Sequence, residues 1–261
     1  MLELINVSKT FNAGTVNEKK ALSDINLSVK DGDFITIIGS NGAGKSTLFG
    51  AVSGAFIPDT GRIVLDGNDI TRTPDYKRAS YIGRLFQDPK TGTAPSMTVE
   101  ENLLLAAGGG RYLSLPKKAA KERLRQRVAS LGLGLEDRMK TPVGLLSGGQ
   151  RQALTLLMAT VNPPKLLLLD EHTAALDPAA AEKILEVTER TVKEEGLTCL
   201  MITHNMSSAL ALGNRTVMMR DGRIILDTEG EERAGLSVAD LLSRFREASG
   251  EELDNDRMLL S

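Results

Sequence analysis

The feature that most constrains this chain is a glycine-rich segment directly after a short apolar run. The run, residues 34–38, has the length and composition of a buried strand. Glycines let backbone N–H groups turn inward around phosphate oxygens at a helix N-terminus. The segment fits the spacing G-x-x-x-x-G-K-[ST] and predicts a nucleoside triphosphate site rather than a simple strand-to-helix turn. We call it the phosphate loop, and its residues are Gly39, Ser40, Asn41, Gly42, Ala43, Gly44, Lys45, Ser46 and Thr47.

Two side chains of the phosphate loop have predicted roles of their own. Lys45 is expected to reach the β- and γ-phosphates, and the Ser46 hydroxyl is expected to ligate Mg²⁺. A nucleoside triphosphate and Mg²⁺ are therefore the expected ligands of this loop, and the family resemblance given below implies that the nucleotide is ATP.

Composition narrows the class of protein. The 261 residues suffice for one large domain with a sizeable core. A net charge of −2 and the absence of Trp argue against nucleic acid as a partner. The lone Cys199 indicates a reducing compartment. No signal sequence and no apolar stretch of about 20 residues is present, so we expect a cytoplasmic chain that reaches a membrane only through a partner.

Short alternating strands precede and follow the phosphate loop. Segments that start at Leu2, at Ile25 and at Arg62 have the period of half-buried strands, and they predict an antiparallel β-layer beside a parallel α/β sheet. Phe11 ends the first of them and is a candidate platform for adenine. The alternative for Phe11 is a core or edge-strand aromatic.

The middle of the chain changes to helical patterning. A strand over residues 80–86 ends at Gln87, which is a candidate to contact Mg²⁺ or orient water, or else a turn residue. Beyond it, Ala120, Leu124, Val128 and Leu131 follow one helix face. The other face is predicted to be solvated or, as a looser possibility, to meet anionic lipid; it carries Lys117, Lys118, Lys121, Arg123, Arg125 and Arg127. Gly108-Gly109-Gly110 is predicted to be a flexible connection.

Two carboxylates end a fully apolar strand. Residues 166–169 are all Leu, the pattern of a central parallel strand buried on both faces, and Asp170 and Glu171 follow them. Ligands bind at such strand ends in open α/β sheets. We predict that Asp170 holds Mg²⁺ with Ser46 and that Glu171 is the general base for water. The alternative is two solvated carboxylates.

Residues 146–150 read Leu-Ser-Gly-Gly-Gln and precede a helix predicted over residues 151–161. Ser147 and the amide of Gly149 offer a second anion site without a lysine, and the alternative is a loop and helix cap. With the phosphate loop, this signature segment (Leu146, Ser147, Gly148, Gly149 and Gln150) resembles the ATPase subunits of ABC transporters over about residues 2–227. The resemblance implies that it faces the γ-phosphate bound by a partner copy, so that two ATP molecules lie in a head-to-tail homodimer or a dimer with a similar ATPase.

The same resemblance assigns further residues. His204, after the strand of residues 197–203, would contact the γ-phosphate and hold water and Glu171 in place. Residues 174–177 match the D-loop, which crosses to the other subunit, and Asp177 could also cap the next helix. The family mostly has Pro where this chain has His172. We interpret His172 as structural or as tuning the D-loop, and not as a second catalytic base.

These patterns together predict an α/β fold with a RecA-like P-loop ATPase core, an antiparallel β subdomain and an inserted helical subdomain. About residues 1–88 and 161–230 would form the core and the β subdomain, about 89–160 the helical subdomain, and 231–261 a helical tail. A hairpin with an Asp-Gly turn is predicted at residues 216–227, and an amphipathic helix is predicted around residues 238–245. Residues 251–256 are expected to fray.

The resemblance also implies partners. The expected function is an energy-coupling ATPase at the cytoplasmic face of the cell membrane, driving small-molecule import. Transmembrane permease subunits would dock in a groove near residues 88–100, with an extracytoplasmic substrate-binding protein outside. Residues 166–178 look like a subset of bacterial importer ATPases, some of them linked to aromatic amino acids. The alternatives are a soluble ABC ATPase of iron–sulfur cluster or complex assembly, and the ATPase subunit of an exporter.

Overall fold

A computed structural model describes residues 1–88, 90–108 and 118–249. Its chain divides into two compact units, and each is described by itself. Unit 1 comprises Met1–Ile82 with Leu197–Ser261, of which the described part ends at residue 249; unit 2 is Gly83–Gly196. Predicted features at residues 109, 110, 117 and 251–256 lie outside the described residues.

The described residues form ten strands and nine α-helices. The strands are β1 Leu2–Phe11, β2 Lys19–Val29, β3 Phe34–Ile38, β4 Thr60–Leu65, β5 Asn68–Asp69, β6 Ile82–Leu85, β7 Leu166–Asp170, β8 Thr198–Ile202, β9 Arg215–Arg220 and β10 Arg223–Glu229. The helices are α1 Lys45–Ser53, α2 Asp75–Arg78, α3 Val99–Gly108, α4 Lys118–Ala129, α5 Gly148–Thr160, α6 Pro178–Glu194, α7 Met206–Ala211, α8 Gly230–Ala234 and α9 Val238–Ser249.

Unit 1 contains the predicted antiparallel layer. Its strands lie in the order β2-β1-β4-β5, and β1 pairs antiparallel with both β2 and β4. Alternate side chains of β2, including Ile25, Leu27 and Val29, are buried, which is the period that the sequence shows.

A second group of strands in unit 1 carries the phosphate loop. Here β3 lies between β8 and β9 and is parallel to both, while β9 and β10 form an antiparallel hairpin. All five residues of β3 and of β8 are buried, as expected for parallel strands covered on both faces. Helices α7 and α9 cover one side through a cluster that includes Ile38, Met206 and Met218, with Leu241 and Phe245 from α9.

Unit 2 holds β6, β7 and the helices α3 to α6. Strands β6 and β7 are hydrogen-bonded neighbours, and every residue of β7 is buried. Leu124 and Val128 on α4, with Leu131 just beyond it, are buried as predicted. Unit 2 thus contains β6, β7 and α6 together with helices α3 to α5, and the predicted division into core, β subdomain and helical subdomain stays a prediction.

Three local predictions differ from the structure in their bounds or in the exposure of a side chain. The helix expected to begin at residue 151 begins at Gly148, because the side chain and backbone of Ser147 cap it. The strand predicted over residues 80–86 is confined to β6. Arg127 is not on a solvated face, since its guanidinium donates to the carbonyl oxygens of Thr160 and Val161 and pairs with Glu195.

In the part of the chain that the structure describes, no helix combines the length and the apolar character needed to cross a bilayer.

Candidate active site

The phosphate loop of unit 1 runs from the end of β3 to the start of α1. Gly39, Gly42 and Gly44 have φ values of 151°, 83° and 101°. A Cβ at Gly39 would lie 2.2 Å from the carbonyl oxygen of Met219, and a Cβ at Gly44 would lie 2.6 Å from that of Ala21. Because both the backbone conformation and the space exclude a side chain, only glycine fits these two positions.

Lys45 is the first residue of α1 and is only 5% exposed. Its ammonium donates to the carbonyl oxygens of Gly39 at 2.7 Å and Ser40 at 3.1 Å. Ser46, the next residue, is exposed. A lysine charge and the N-terminus of a helix therefore coincide, an arrangement that suits a phosphate group.

His204 is placed near this loop by strand pairing inside unit 1. Residues Ile35 and Ile37 of β3 are in register with Leu200 and Ile202 of β8, and the amide of Thr203 donates to the carbonyl oxygen of Ile37 at 3.1 Å. His204 follows at once and is half-buried. His204 and the phosphate loop thus both follow the carboxyl ends of paired parallel strands, and the role of His204 at the γ-phosphate stays a prediction.

Phe11 is linked to the phosphate loop through the pairing of β1 with β2. It pairs with Lys19 across β1 and β2, and the Lys19 ammonium lies 3.5 Å from where a Cβ of Gly42 would be. The Phe11 ring packs edge-on against Phe56, with ring centroids 5.3 Å apart, and the Lys9 ammonium lies 5.6 Å from both centroids. The adenine role of Phe11 stays a prediction.

A residue that the sequence analysis missed supports the phosphate loop. The turn between β9 and β10 has φ 47° at Asp221 and 73° at Gly222. The Gly222 amide donates to the carbonyl oxygen of Ala43 at 3.0 Å, and the Gly222 carbonyl accepts from the amide of Ser23 at 2.8 Å. The Asp-Gly pair predicted the turn, but nothing in the sequence indicated its contact with the loop.

In unit 2, Asp170 ends β7 and is 8% exposed. A guanidinium nitrogen of Arg84, on β6, lies 3.4 Å from its Oδ2 atom. Arg84 also stacks on Phe86, with its Cζ atom 4.7 Å from the ring centroid. Arg84 was not predicted as a site residue, although an arginine within an otherwise uncharged four-residue strand indicates a charged partner.

Glu171 has φ 47°, the left-handed region that non-glycine residues seldom adopt. Such strain persists where the surroundings enforce it, and it is concentrated at functional sites. Gln87 is exposed and lies two residues beyond the end of β6, and β6 is the neighbour of β7, which ends at Asp170. Asp170 therefore ends one of two adjacent strands, and Glu171 and Gln87 follow the ends of those strands.

His172 is 3% exposed, and its Nε2 atom lies 3.0 Å from the hydroxyl of Thr188 on α6. Burial lowers the pKa of His172 from its ordinary 6.5 to about 4, so the ring is neutral at physiological pH. These observations support a structural interpretation of His172 over a second catalytic base.

The signature segment begins α5 with a capping box. The Ser147 hydroxyl accepts from the amide of Gln150 at 3.2 Å, and the Gln150 carbonyl oxygen Oε1 accepts from the amide of Ser147 at 3.3 Å. The Gln150 amide group also donates to the carbonyl oxygen of Leu133 at 3.2 Å, so this side chain stabilises its own unit.

The D-loop, residues 174–177, lies beside the signature segment within unit 2. A Cβ on Gly148 would lie 3.0 Å from Leu176, and one on Gly149 would lie 3.3 Å from the Cβ atom of Ala180. Asp177 caps α6 by accepting from the amide of Ala180 at 3.0 Å, as predicted. The small residues of the signature segment therefore allow the D-loop and the start of α6 to pack closely against it.

The available donors suit Mg²⁺ bound together with a phosphate ligand. Ser46, Gln87 and Asp170 offer oxygen atoms, the ligands that Mg²⁺ prefers. In the described residues no cluster of three or more His, Cys, Asp or Glu side chains forms a self-contained metal cage. Mg²⁺ typically takes one or two protein ligands and completes its shell with phosphate oxygens and water, so each of these side chains has the donor chemistry that the ion takes.

Comparison with known proteins finds the family that the sequence motifs resemble. The profile of the family described as "ABC transporter" matches residues 22–174. The tyrosine transport ATP-binding protein of Clostridioides difficile is 42% identical over 250 residues, which cover 95% of this chain and 100% of that protein. The spermidine/putrescine import ATP-binding protein PotA of Haemophilus influenzae is 32% identical over 268 residues, covering 100% of this chain and 68% of PotA.

Solved structures agree. The post-hydrolysis dimer of the ATP-binding cassette MJ0796 with ADP and Pi has a TM-score of 0.75 at 29% identity, over 88% of this chain and 98% of that one. The ADP conformation of the cassette MJ1267 has a TM-score of 0.77 at 30% identity, over 96% and 99%.

This chain therefore belongs to the ATP-binding subunits of ABC transporters. It has the RecA-like P-loop ATPase fold and is an ATPase, which confirms the fold and the activity predicted from the sequence. Members of the family act as dimers with transmembrane permease partners, and the MJ0796 cassette is dimeric in the structure that this chain resembles.

Proposed function

We propose that this chain energises a bacterial importer for an amino acid of the tyrosine class. The observation that carries the proposal is the 42% identity, over 95% of the chain, to a protein named for tyrosine transport. Transport specificity resides in subunits other than the ATPase, so the cargo assignment rests on that relative. Import is favoured because relatives such as PotA are named for import.

The phosphate loop binds the triphosphate of ATP in this proposal. Its backbone amides and the Lys45 ammonium neutralise the β- and γ-phosphates, since both converge at the N-terminus of α1. Phe11 stacks on adenine. Ser46, Gln87 and Asp170 would hold Mg²⁺, whose contribution when bound is to neutralise charge that develops on the phosphates.

Glu171 accepts a proton from the attacking water, and His204 holds the γ-phosphate and the water in line. The unusual backbone conformation of Glu171, at φ 47°, supports a functional role for this residue over a merely solvated one.

Hydrolysis needs a second copy of the chain. Ser147 and the amide of Gly149, at the N-terminus of α5, donate to the γ-phosphate held by the partner copy. The Ser147 hydroxyl accepts a hydrogen bond in its own capping box, which leaves its proton for an acceptor. A contact delivered in trans in this way is worth about 10³–10⁵ in rate where an arginine supplies it.

ATP binding favours the closed dimer, and hydrolysis removes the γ-phosphate contacts that keep it closed. Permease subunits docked near residues 88–100 convert this cycle into transport, with the chain at the cytoplasmic face of the membrane and a substrate-binding protein on the other side.

The test is purification of the native complex followed by reconstitution in liposomes. We expect transmembrane subunits to co-purify and a tyrosine-loaded binding protein to stimulate ATP hydrolysis. A Lys45→Ala chain should retain the partners and lose the stimulation. Co-purification with a soluble scaffold alone would contradict transport, and stimulation only by a cargo unlike aromatic amino acids would contradict the cargo class.

A further inference from the structure

The residue after Glu171 has an unusual anchor. The His172 ring is buried in unit 2 and its Nε2 atom lies 3.0 Å from the Thr188 hydroxyl. Thr188 is itself fully buried and donates its hydroxyl proton to the carbonyl oxygen of Ile184 at 2.7 Å. Because a hydroxyl has one proton, Nε2 must be the donor to Thr188. The ring is thereby fixed in one tautomer and one orientation.

The anchor lies where the backbone is strained. Glu171 has φ 47°, and the peptide that joins it to His172 leads into the turn in which the Ala174 amide donates to the carbonyl oxygen of Glu171 at 3.0 Å. A glutamate held in the left-handed region needs surroundings that enforce the conformation. The His172 hydrogen bond to α6 supplies a fixed point one residue away.

A second anchor lies at the other end of the same segment. Asp177 accepts from the amide of Ala180 and so fixes residue 177 to the start of α6. Residues 173–176 are therefore flanked on both sides by hydrogen bonds to α6, one between His172 and Thr188 and one between Asp177 and Ala180.

We propose that His172 is a positioning residue for Glu171: its hydrogen bond to Thr188 ties the backbone after Glu171 to α6 and fixes the direction of the Glu171 carboxylate. The same hydrogen bond fixes the position of the D-loop along α6. This inference rests on the proposed role of Glu171 as the base for water, and it gives His172 no contact with substrate.

The test compares steady-state ATP hydrolysis by the full chain with that of Thr188→Val, Thr188→Ser, His172→Phe and the double variant His172→Phe/Thr188→Val. Thr188→Val removes the hydroxyl with little change of shape, while Thr188→Ser keeps it. We expect Thr188→Val to lower kcat about tenfold, the order expected for a small misplacement of a catalytic group, with KM for ATP unchanged. Thr188→Ser should keep the kcat of the parent. The double variant His172→Phe/Thr188→Val should have the same kcat as His172→Phe alone.

A structural readout accompanies the kinetics. Amide hydrogen exchange of the peptide covering residues 171–177 should be faster in Thr188→Val and unchanged in Thr188→Ser. The inference is overturned if Thr188→Val keeps kcat within twofold of the parent, if kcat and KM change together with a general loss of thermal stability, or if exchange of this peptide is unaltered.

Glu171→Gln, measured alongside, separates the two claims. If Glu171→Gln loses hydrolysis while Thr188→Val keeps it, the positioning role is wrong and the proposed base stands. If Glu171→Gln hydrolyses ATP at the parent rate, the proposed base is wrong and the positioning role is wrong with it.

Discussion

The backbone amide of Gly222 donates a hydrogen bond to the carbonyl oxygen of Ala43, at 3.0 Å. A turn near the C-terminal end of the described chain thus supports the loop that receives the phosphates. The opposite side of the turn is held by the amide of Ser23 on β2. Gly222 therefore links three segments of unit 1: the phosphate loop, the turn between β9 and β10, and β2.

Replacing Gly222 by Ala should weaken ATP binding as well as stability. The new Cβ would lie 2.8 Å from the carbonyl oxygen of Ala21, at a backbone φ of 73°. We expect a loss of about 1–3 kcal/mol in the free energy of unfolding and weaker binding of a fluorescent ATP analogue. The matched control is Gly67→Ala, where φ is 74° and nothing lies within 4 Å. It should lower stability only modestly and leave nucleotide affinity unchanged; equal effects of both variants on affinity would contradict the support that we assign to Gly222.

Ser147→Ala tests whether the signature serine does more than cap a helix. Ser147 accepts from the amide of Gln150 at 3.2 Å, and Ser237 accepts from the amide of Asp240 at the same distance. Loss of either cap should cost about 1 kcal/mol in thermal or chemical unfolding. Only Ser147→Ala should abolish most ATP hydrolysis, since only Ser147 is proposed to meet the γ-phosphate of a partner copy. If Ser237→Ala reduced hydrolysis equally, the cap alone would explain the loss.

Arg84→Gln should change the Mg²⁺ requirement. The Arg84 guanidinium lies 3.4 Å from Oδ2 of Asp170, so it competes electrostatically with a divalent cation at this carboxylate. We expect the Mg²⁺ concentration for half-maximal hydrolysis to fall several-fold in the variant. Arg62→Gln, at an exposed arginine of unit 1, is the control and should leave the Mg²⁺ dependence unaltered. A higher Mg²⁺ requirement in Arg84→Gln would mean that Arg84 orients Asp170 for the ion.

Glu100 should make stability depend on pH in the acid range. A hydrogen bond from Lys121 lowers the pKa of Glu100 below its ordinary 4.5, against the opposing effect of burial, and Lys140 contributes a second ion pair. A carboxylate with a lowered pKa stabilises the fold above pH 4.5 and loses that contribution as the pH falls through the lowered pKa.

Glu100→Gln should therefore reduce the free energy of unfolding by about 1 kcal/mol at pH 7, and the difference from the parent should shrink below pH 4.5. Urea unfolding at several pH values measures it. Glu186→Gln, which breaks an exposed pair with Lys183, should change stability little at any of them. A difference for Glu100→Gln that stays constant down to low pH would show that the ion pairs contribute nothing.

Local patterns predicted the parts of the site that are continuous in sequence. The strand β3 has the predicted bounds, and β7 delivers Asp170 at its carboxyl end, because runs of Ile and Leu leave little choice of structure. The start of α5 was placed too late although Ser147 and Gln150 have the spacing of a capping box. The segment predicts a ligand motif with a helix cap as the alternative, and the structure shows that Ser147 and Gln150 do cap the helix.

Contacts between distant segments could not be predicted in the same way. Thr188 shares the buried stripe of α6 with Ile184 and Val192, and a polar residue in that stripe indicates a buried partner without identifying it as His172. Arg127 follows the period of a solvated face, yet it binds carbonyl oxygens at the end of α5. A single chain's periodicity reports which face is apolar, but not which backbone carbonyls another helix leaves unsatisfied.

The signature segment is already shaped in one copy of the chain, since Ser147 and Gln150 hold the first turn of α5 between them. In the proposed function, a partner copy that brings its nucleotide would meet a preformed helical turn instead of a loop that must still fold. Ordering such a loop would consume free energy of association. A larger part of the free energy released on nucleotide binding would then be available for the conformational change that opens and closes the transport pathway across the membrane.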